Sequence, residues 1–162
     1  MLRSFAWSDL QALARGAVWT ITLCVTAGLL GTVLGLAIAL AATSPVRALR
    51  WLAHGYVTLV RGIPLLILVF FAYFGIPLFL PGLELSAFAT AVVALTVFAA
   101  AYLAEVFRGS LNAVPAGQYE AASALGLGYA GQHRFVILPQ ALRIAVPRAS
   151  DSSSRSSRTR RW

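Results

Sequence analysis

The chain has 162 residues, of which 59% are hydrophobic and 11% charged, and its formal charge of +8 comes from thirteen arginines, no lysine and five acids. A soluble domain carries about a quarter charged residues to cover its core with polar surface. This composition therefore excludes water as the main solvent and points to a bilayer. Four of the arginines fall in the last fourteen residues. Before Ala149, nine arginines face four acids, the mild excess of a membrane protein with basic cytoplasmic loops, and nucleic acid is not implied.

In chain order, the first uncharged stretch runs from Gly16 to Val46. A hydrocarbon core about 30 Å thick needs about 20 helical residues, and this stretch predicts a span over 17–42. It is too long for the apolar region of a signal peptide, which holds about 7–15 residues. Cys24, the one cysteine, lies inside it and reads as a small buried hydrophobe. Gly28, Gly31 and Gly35 lie at helical spacing and include a Gly-x-x-x-Gly step, which predicts a helix-packing face.

The segment from Thr43 to Arg61 carries Arg47, Arg50 and Arg61 without an acid and reads as a loop. A second span is expected over 64–81, opened by Pro64 and closed by Ile76-Pro77 and Leu80-Pro81-Gly82. A third is expected over 85–104. Three arginines in the first loop against Glu84 alone in the turn after the second span put that loop inside, the turn outside and the N-terminus outside. The fold expected is all-α, a polytopic transmembrane helix bundle, because lipid offers no partner to a free backbone group.

Residues 105–139 differ in character. Glu105 through Pro139 are too polar to span and predict a helix over 115–125, with Pro115 in its first turn and Gly126 as its C-terminal stop. A second short helix is expected over 130–138, ending before Pro139. Together they predict a compact cytoplasmic helix-turn-helix with one side left low by Ala121, Ala122 and Ala124.

Glu120-Ala121-Ala122, then Gly126, then Val136-Ile137-Leu138-Pro139 reproduce a fixed spacing on a polar loop after a transmembrane helix. Here the chain resembles the membrane-spanning subunits of ATP-binding-cassette importers, whose cytoplasmic loop carries Glu-Ala-Ala, three residues, Gly, nine residues and Ile-x-Leu-Pro. Val136 replaces the Ile. Arg61 to Leu66, Ala101 to Gly109 and Pro139 to Arg143 look like the polar amino-acid branch of that family. The resemblance covers about residues 16–147. It implies that the loop docks into a cleft on an ATP-hydrolysing subunit, Glu120 supplying an interfacial charge and Gly126 permitting the turn. Leu138 and Pro139 would anchor the exit.

The resemblance further implies a bacterial inner-membrane location and an amino-acid import system with a second permease subunit, an ABC ATPase subunit and an extracytoplasmic solute-binding protein. It implies no catalytic, metal or cofactor residue on this chain, ATP being bound by the partner. About five spans are expected in such a subunit, and three are present in a permease domain over 1–147. The Ser/Arg-rich residues 148–162 read as disordered, and with all-Arg usage they are expected to be an out-of-frame ending near Arg148. Gly126-Leu-Gly128-Tyr-Ala-Gly131 formally matches a dinucleotide fingerprint, but no strand precedes it and no long helix is expected to follow. His54 and His133 read as solvated or interfacial. The competing reading of a different class is a small membrane anchor or assembly protein without transport activity.

Overall fold

The computed structural model describes residues 7–82 and 85–145, and every regular element among them is a helix. Helix α1 runs over Trp7–Thr43, starting ten residues before the expected span. Its 37 residues reach about 55 Å at about 1.5 Å each, so it exceeds the hydrocarbon thickness. Threonines inside it need no water as partner: Thr20, Thr22, Thr26 and Thr32 each donate a hydroxyl hydrogen bond at 2.7–2.9 Å to the carbonyl four residues back. Val18, Val25, Leu29 and Val33 are more than half exposed, a surface that suits lipid.

The expected loop after α1 is a helix, α2 over Arg47–Gly62. Ala53 and Val60 are buried on it, with Tyr56 half-buried between them, so its apolar face follows the helical period while Arg47, Arg50, His54 and Arg61 occupy exposed positions. It stops at Ile63, which is extended (φ −101°, ψ 126°) because Pro64 disfavours a helical residue before it.

After Pro64 the chain is helical over Leu65–Phe79, as α3 (Leu65–Phe70), a π turn (Phe71–Gly75) and α4 (Ile76–Phe79). Ile76-Pro77 was expected to end the helix and does not. A proline inside a helix leaves one carbonyl without a donor and its ring crowds the turn before it; the widened turn immediately upstream accommodates both. Leu80 (φ −128°, ψ 69°) and Gly82 (φ +109°) then end it. At about 22 Å, Leu65–Phe79 is shorter than the hydrocarbon core and than the 64–81 span expected. It is bent by 103° from α2. Two helices, α1 and α5, are thus long and apolar enough to cross a membrane, and a third crossing exists if the bent pair forms one span. Glu84, on which the external turn rested, lies outside the described residues.

Helix α5 covers Ala87–Asn112, two turns beyond the expected 85–104, so the first part of the polar segment continues the membrane helix. The chain divides into two compact units, Met1–Glu105 and Val106–Trp162, with the boundary inside α5.

In the first unit, α1 and α5 meet through small residues. A Cβ built on Gly31 would lie 2.7 Å from the Cβ of Ala99, and one on Gly35 would lie 2.9 Å from Leu103 Cβ, 3.0 Å from Ala100 O and 3.1 Å from Ala104 N. A Cβ built on Gly28 would meet nothing within 4 Å, so Gly28 takes no part in this approach to α5. The reason is position: the helices converge around the two later glycines. Ala39, Ala100 and Ala104 are almost fully buried there. Where lipid supplies no hydrophobic drive between helices, this backbone proximity and its van der Waals contact do the holding. Tyr56 donates to Val97 O at 2.8 Å, the Arg61 guanidinium lies 5.3 Å from the Tyr102 ring centroid, and Trp19 meets Phe88 edge-on at 5.4 Å.

The second unit has its own small core of Leu111, Val114, Ala122, His133, Ile137 and Ala141, all at most 6% exposed. Helix α6 (Ala116–Ala124) is followed by a continuous helical run over 129–145, made of α7 (Tyr129–Gly131), a π turn (Gln132–Ile137) and α8 (Leu138–Ala145). The expected stop at Pro139 is absent for the same reason as at Pro77: a π turn directly upstream takes up the missing donor and the ring. Residues 146–162, including the expected disordered tail, lie outside the described residues.

Candidate functional site

The candidate site is the turn between α6 and α7. Pro115 (φ −57°, ψ 139°) precedes α6 and Tyr119 returns from it to donate to Leu111 O at 2.9 Å, fixing the helix against the end of α5. Burial pushes the Tyr119 phenol above its ordinary pKa, and the neighbouring Tyr129 adds to the shift. The phenol is therefore a stable donor at neutral pH.

Helix α6 ends in a complete Schellman arrangement. Gly126 N–H bonds Ser123 O at 2.9 Å and Leu127 N–H bonds Ala122 O at 3.2 Å, with Gly126 at φ +73°. That φ is left-handed, a region costing an ordinary residue about 1–2 kcal/mol. Gln132 Nε2 then donates to Leu127 O at 2.7 Å, and Gln140 Nε2 donates to Gln118 Oε1 at 3.0 Å and to Val136 O at 2.9 Å. Gln140 thus ties the second run to α6, and Gln132 ties it to the turn between them.

The motif residues read from the sequence separate into two faces. Glu120, Ala121, Ala124 and Leu125 point outward, Leu125 with 78% of its surface exposed. Ala122 points inward at 1%, where α6 packs against the π turn, and so lies on the core side of the knob and not on its outward face. Val136 and Leu138 are half-buried and Pro139 is exposed. Two residues escaped the sequence reading. Leu125 is an apolar residue at the tip, signalled only by its place before Gly126. His133 is buried, not solvated: its Nδ1–H donates to Tyr129 O at 2.9 Å and its ring lies 4.0 Å from Tyr129 and 6.1 Å from Tyr119. This arrangement presents a shallow tip whose exposed face carries Glu120, Ala121, Ala124 and Leu125. No cluster of metal-ligating side chains is found among the described residues.

The family model described as the binding-protein-dependent transport system inner membrane component matches residues 31–150. The chain belongs to that family. Within the permease family, it is 42% identical over 133 residues to the probable amino-acid ABC transporter permease protein YckA of Bacillus subtilis, covering 82% of this chain and 58% of that protein. It is 43% identical over 133 residues to the glutamate/glutamine/aspartate/asparagine transport system permease protein BztC of Rhodobacter capsulatus, covering 82% and 31%. The fold matches the crystal structure of an amino acid ABC transporter with histidines at a TM-score of 0.68 and 34% identity, over 88% of this chain and 67% of that one. The chain thus spans 58% or less of the length of these two permease relatives.

Proposed function

We propose that this chain serves as the transmembrane permease subunit of an ATP-driven amino-acid importer in the bacterial inner membrane. It would line the translocation pathway and couple to a separate ATPase subunit through the α6–α7 turn. The observation that carries this reading is the outward face of Glu120, Ala121, Ala124 and Leu125 on a knob with its own core, at the end of an apolar helix. ATP would be bound and hydrolysed on the partner. A second permease subunit, identical or different, and an extracytoplasmic solute-binding protein complete the system. The amino-acid class rests on the relatives, which are named as amino-acid permeases. In this reading, closure of the ATPase pair displaces the knobs and tilts the membrane helices between inward- and outward-open states. The arginine-rich α2 lies at the cytoplasmic side; single cysteines at Val46 and Leu80 would then label from opposite sides of the membrane.

The test is co-purification in mild detergent with the cognate ATPase subunit. The chain should retain the ATPase, and Leu125→Ala should weaken retention. Removing an apolar side chain buried at the interface costs about 1.5–3 kcal/mol, or roughly 10- to 100-fold in affinity. A chain that inserts in the membrane yet retains no ATPase would refute the reading.

A further inference from the structure

Helix α2 carries three arginines and no acid of its own. No Asp or Glu occurs between Asp9 and Glu84, and neither Arg47 nor Arg50 forms an ion pair among the described residues. Arg47, Arg50, Trp51 and His54 instead line one concave cavity of about 410 Å³. Its geometry is held: Arg50 Nη1 donates to Ser44 O at 3.2 Å, Val46 N–H donates to Ser44 Oγ at 3.2 Å, and Ser44 is buried. That one bond fixes the guanidinium at the corner and leaves its remaining N–H groups for a ligand. His54 Nδ1–H donates to Arg50 O at 2.8 Å, so its Nε2 faces away from that bond. Helix α2 has no side-chain cap at Val46, and its unpaired first N–H groups and positive dipole end add to the attraction for an anion.

Position and polarity choose among anions. Between Arg15 and Arg47 the chain is uncharged, and its helical part, ending at Thr43, reaches about 42 Å, so Arg47, just past the helix end, falls where charge meets headgroups. Trp51 and Leu52, beside the arginines, are 78% and 67% exposed. An exposed indole next to guanidinium groups is the pattern of a membrane interface, where the ring sits at the acyl boundary and the cations reach phosphate. An aqueous protein surface would not favour that apolar flank.

We propose that the α1–α2 corner is a binding site for the headgroup of an anionic phospholipid, with Arg47 and Arg50 as phosphate ligands and Trp51 as the anchor beneath them. The inference rests on the membrane reading above and on no docking partner. Phosphate is held bidentately by guanidinium, so arginine is not equivalent to lysine there.

The test is native mass spectrometry of the full chain in detergent, titrated with phosphatidylglycerol, phosphatidylcholine, free glycerol phosphate or a hexaglutamate peptide. Phosphatidylglycerol should bind at least tenfold more tightly than phosphatidylcholine. Arg47→Gln with Arg50→Gln should abolish that preference, Arg47→Lys with Arg50→Lys should retain part of it, and Arg134→Gln should leave it intact. Circular dichroism on each variant checks that helix content is kept; loss of helix in the glutamine pair transfers the decision to Trp51→Ala, which should weaken phosphatidylglycerol binding several-fold. Equal binding of the two lipids, an unchanged preference in the glutamine pair, or in Trp51→Ala where that variant decides, overturns the proposal. So does binding of glycerol phosphate or hexaglutamate as tight as that of phosphatidylglycerol. Resistance to carbonate extraction reports separately on membrane insertion, so a chain that inserts but ignores headgroup charge fails this inference alone.

Discussion

Adding one methyl group at Gly35 should weaken the α1–α5 contact, while the same change at Gly28 should not. At Gly35 the new Cβ would stand 3.0 Å from Ala100 O and 3.1 Å from Ala104 N, both backbone atoms, besides 2.9 Å from Leu103 Cβ. No side-chain rotation relieves those contacts, so the helices must separate by several tenths of an ångström. Overpacking of this kind costs about 1–3 kcal/mol, and the lost van der Waals fit is not replaced by any hydrophobic drive in lipid. At Gly28 nothing lies within 4 Å, so Ala should gain up to about 1 kcal/mol of helix propensity. Unfolding followed by circular dichroism in a mild detergent should give Gly35→Ala a midpoint lower by roughly 2–12 °C, taking about 2–4 °C per kcal/mol. Gly28→Ala should sit at or above the parent. Equal behaviour of the two variants would refute the close-approach argument.

Gly126→Val should distort the knob, because a β-branched residue at φ +73° costs more than the ~1–2 kcal/mol of an ordinary side chain; limited proteolysis between α6 and α7 should accelerate, and unchanged cleavage would contradict the turn geometry. Ala122→Arg and Ala121→Arg should separate folding from docking. The first buries a charge in the knob core and should raise protease sensitivity of the isolated subunit, whereas the second should leave that sensitivity unchanged and lower only ATPase retention. Tyr119→Phe should cost about 1 kcal/mol for the lost bond to Leu111 O. For the parent chain, a raised phenol pKa means that the folded state holds its proton more tightly. Its contribution is thus complete below the unfolded value of about 10 and is lost as pH rises through the folded value. Amide exchange of α6 should quicken in that range, and Tyr119→Phe should not show the added effect.

Much of this was legible in the sequence because the bilayer simplifies the problem. Uncharged runs of sufficient length located α1 and α5, and Pro115 and Gly126 bracketed α6 to within a residue, since each acts through its own backbone. The errors came where a second contribution mattered. The arginines of α2 read as a loop, although Ala53, Tyr56 and Val60 recur at helical spacing and a half-polar helix needs only one buried face. Pro77 and Pro139 read as stops because proline was weighed without the π turn that precedes each. Ala122 and His133 were assigned to solvent or a partner because a core made by two short helices is a tertiary fact: their burial depends on the run over 129–145 turning back onto α6, which no local pattern shows. The different surroundings of Gly28 and Gly35 were hidden for the same reason, since helical spacing fixes which glycines share a face but not where two helices converge.

The account turns on whether the knob's outward face meets an ATPase, and site-directed cross-linking measures that contact directly. In a Cys24→Ala background, single cysteines at Ala121, Leu125 and Val33 would be treated with a short homobifunctional thiol reagent in membranes containing the assembled transporter, after scanning cysteines across the ATPase surface. Cysteine at Ala121 or Leu125 should form a chain–ATPase adduct whose yield changes when ATP is added, and cysteine at Val33, exposed in the apolar middle of α1, should form none. Adducts at neither Ala121 nor Leu125, in membranes where the transporter takes up its amino acid, would contradict the assignment of this turn as the coupling element.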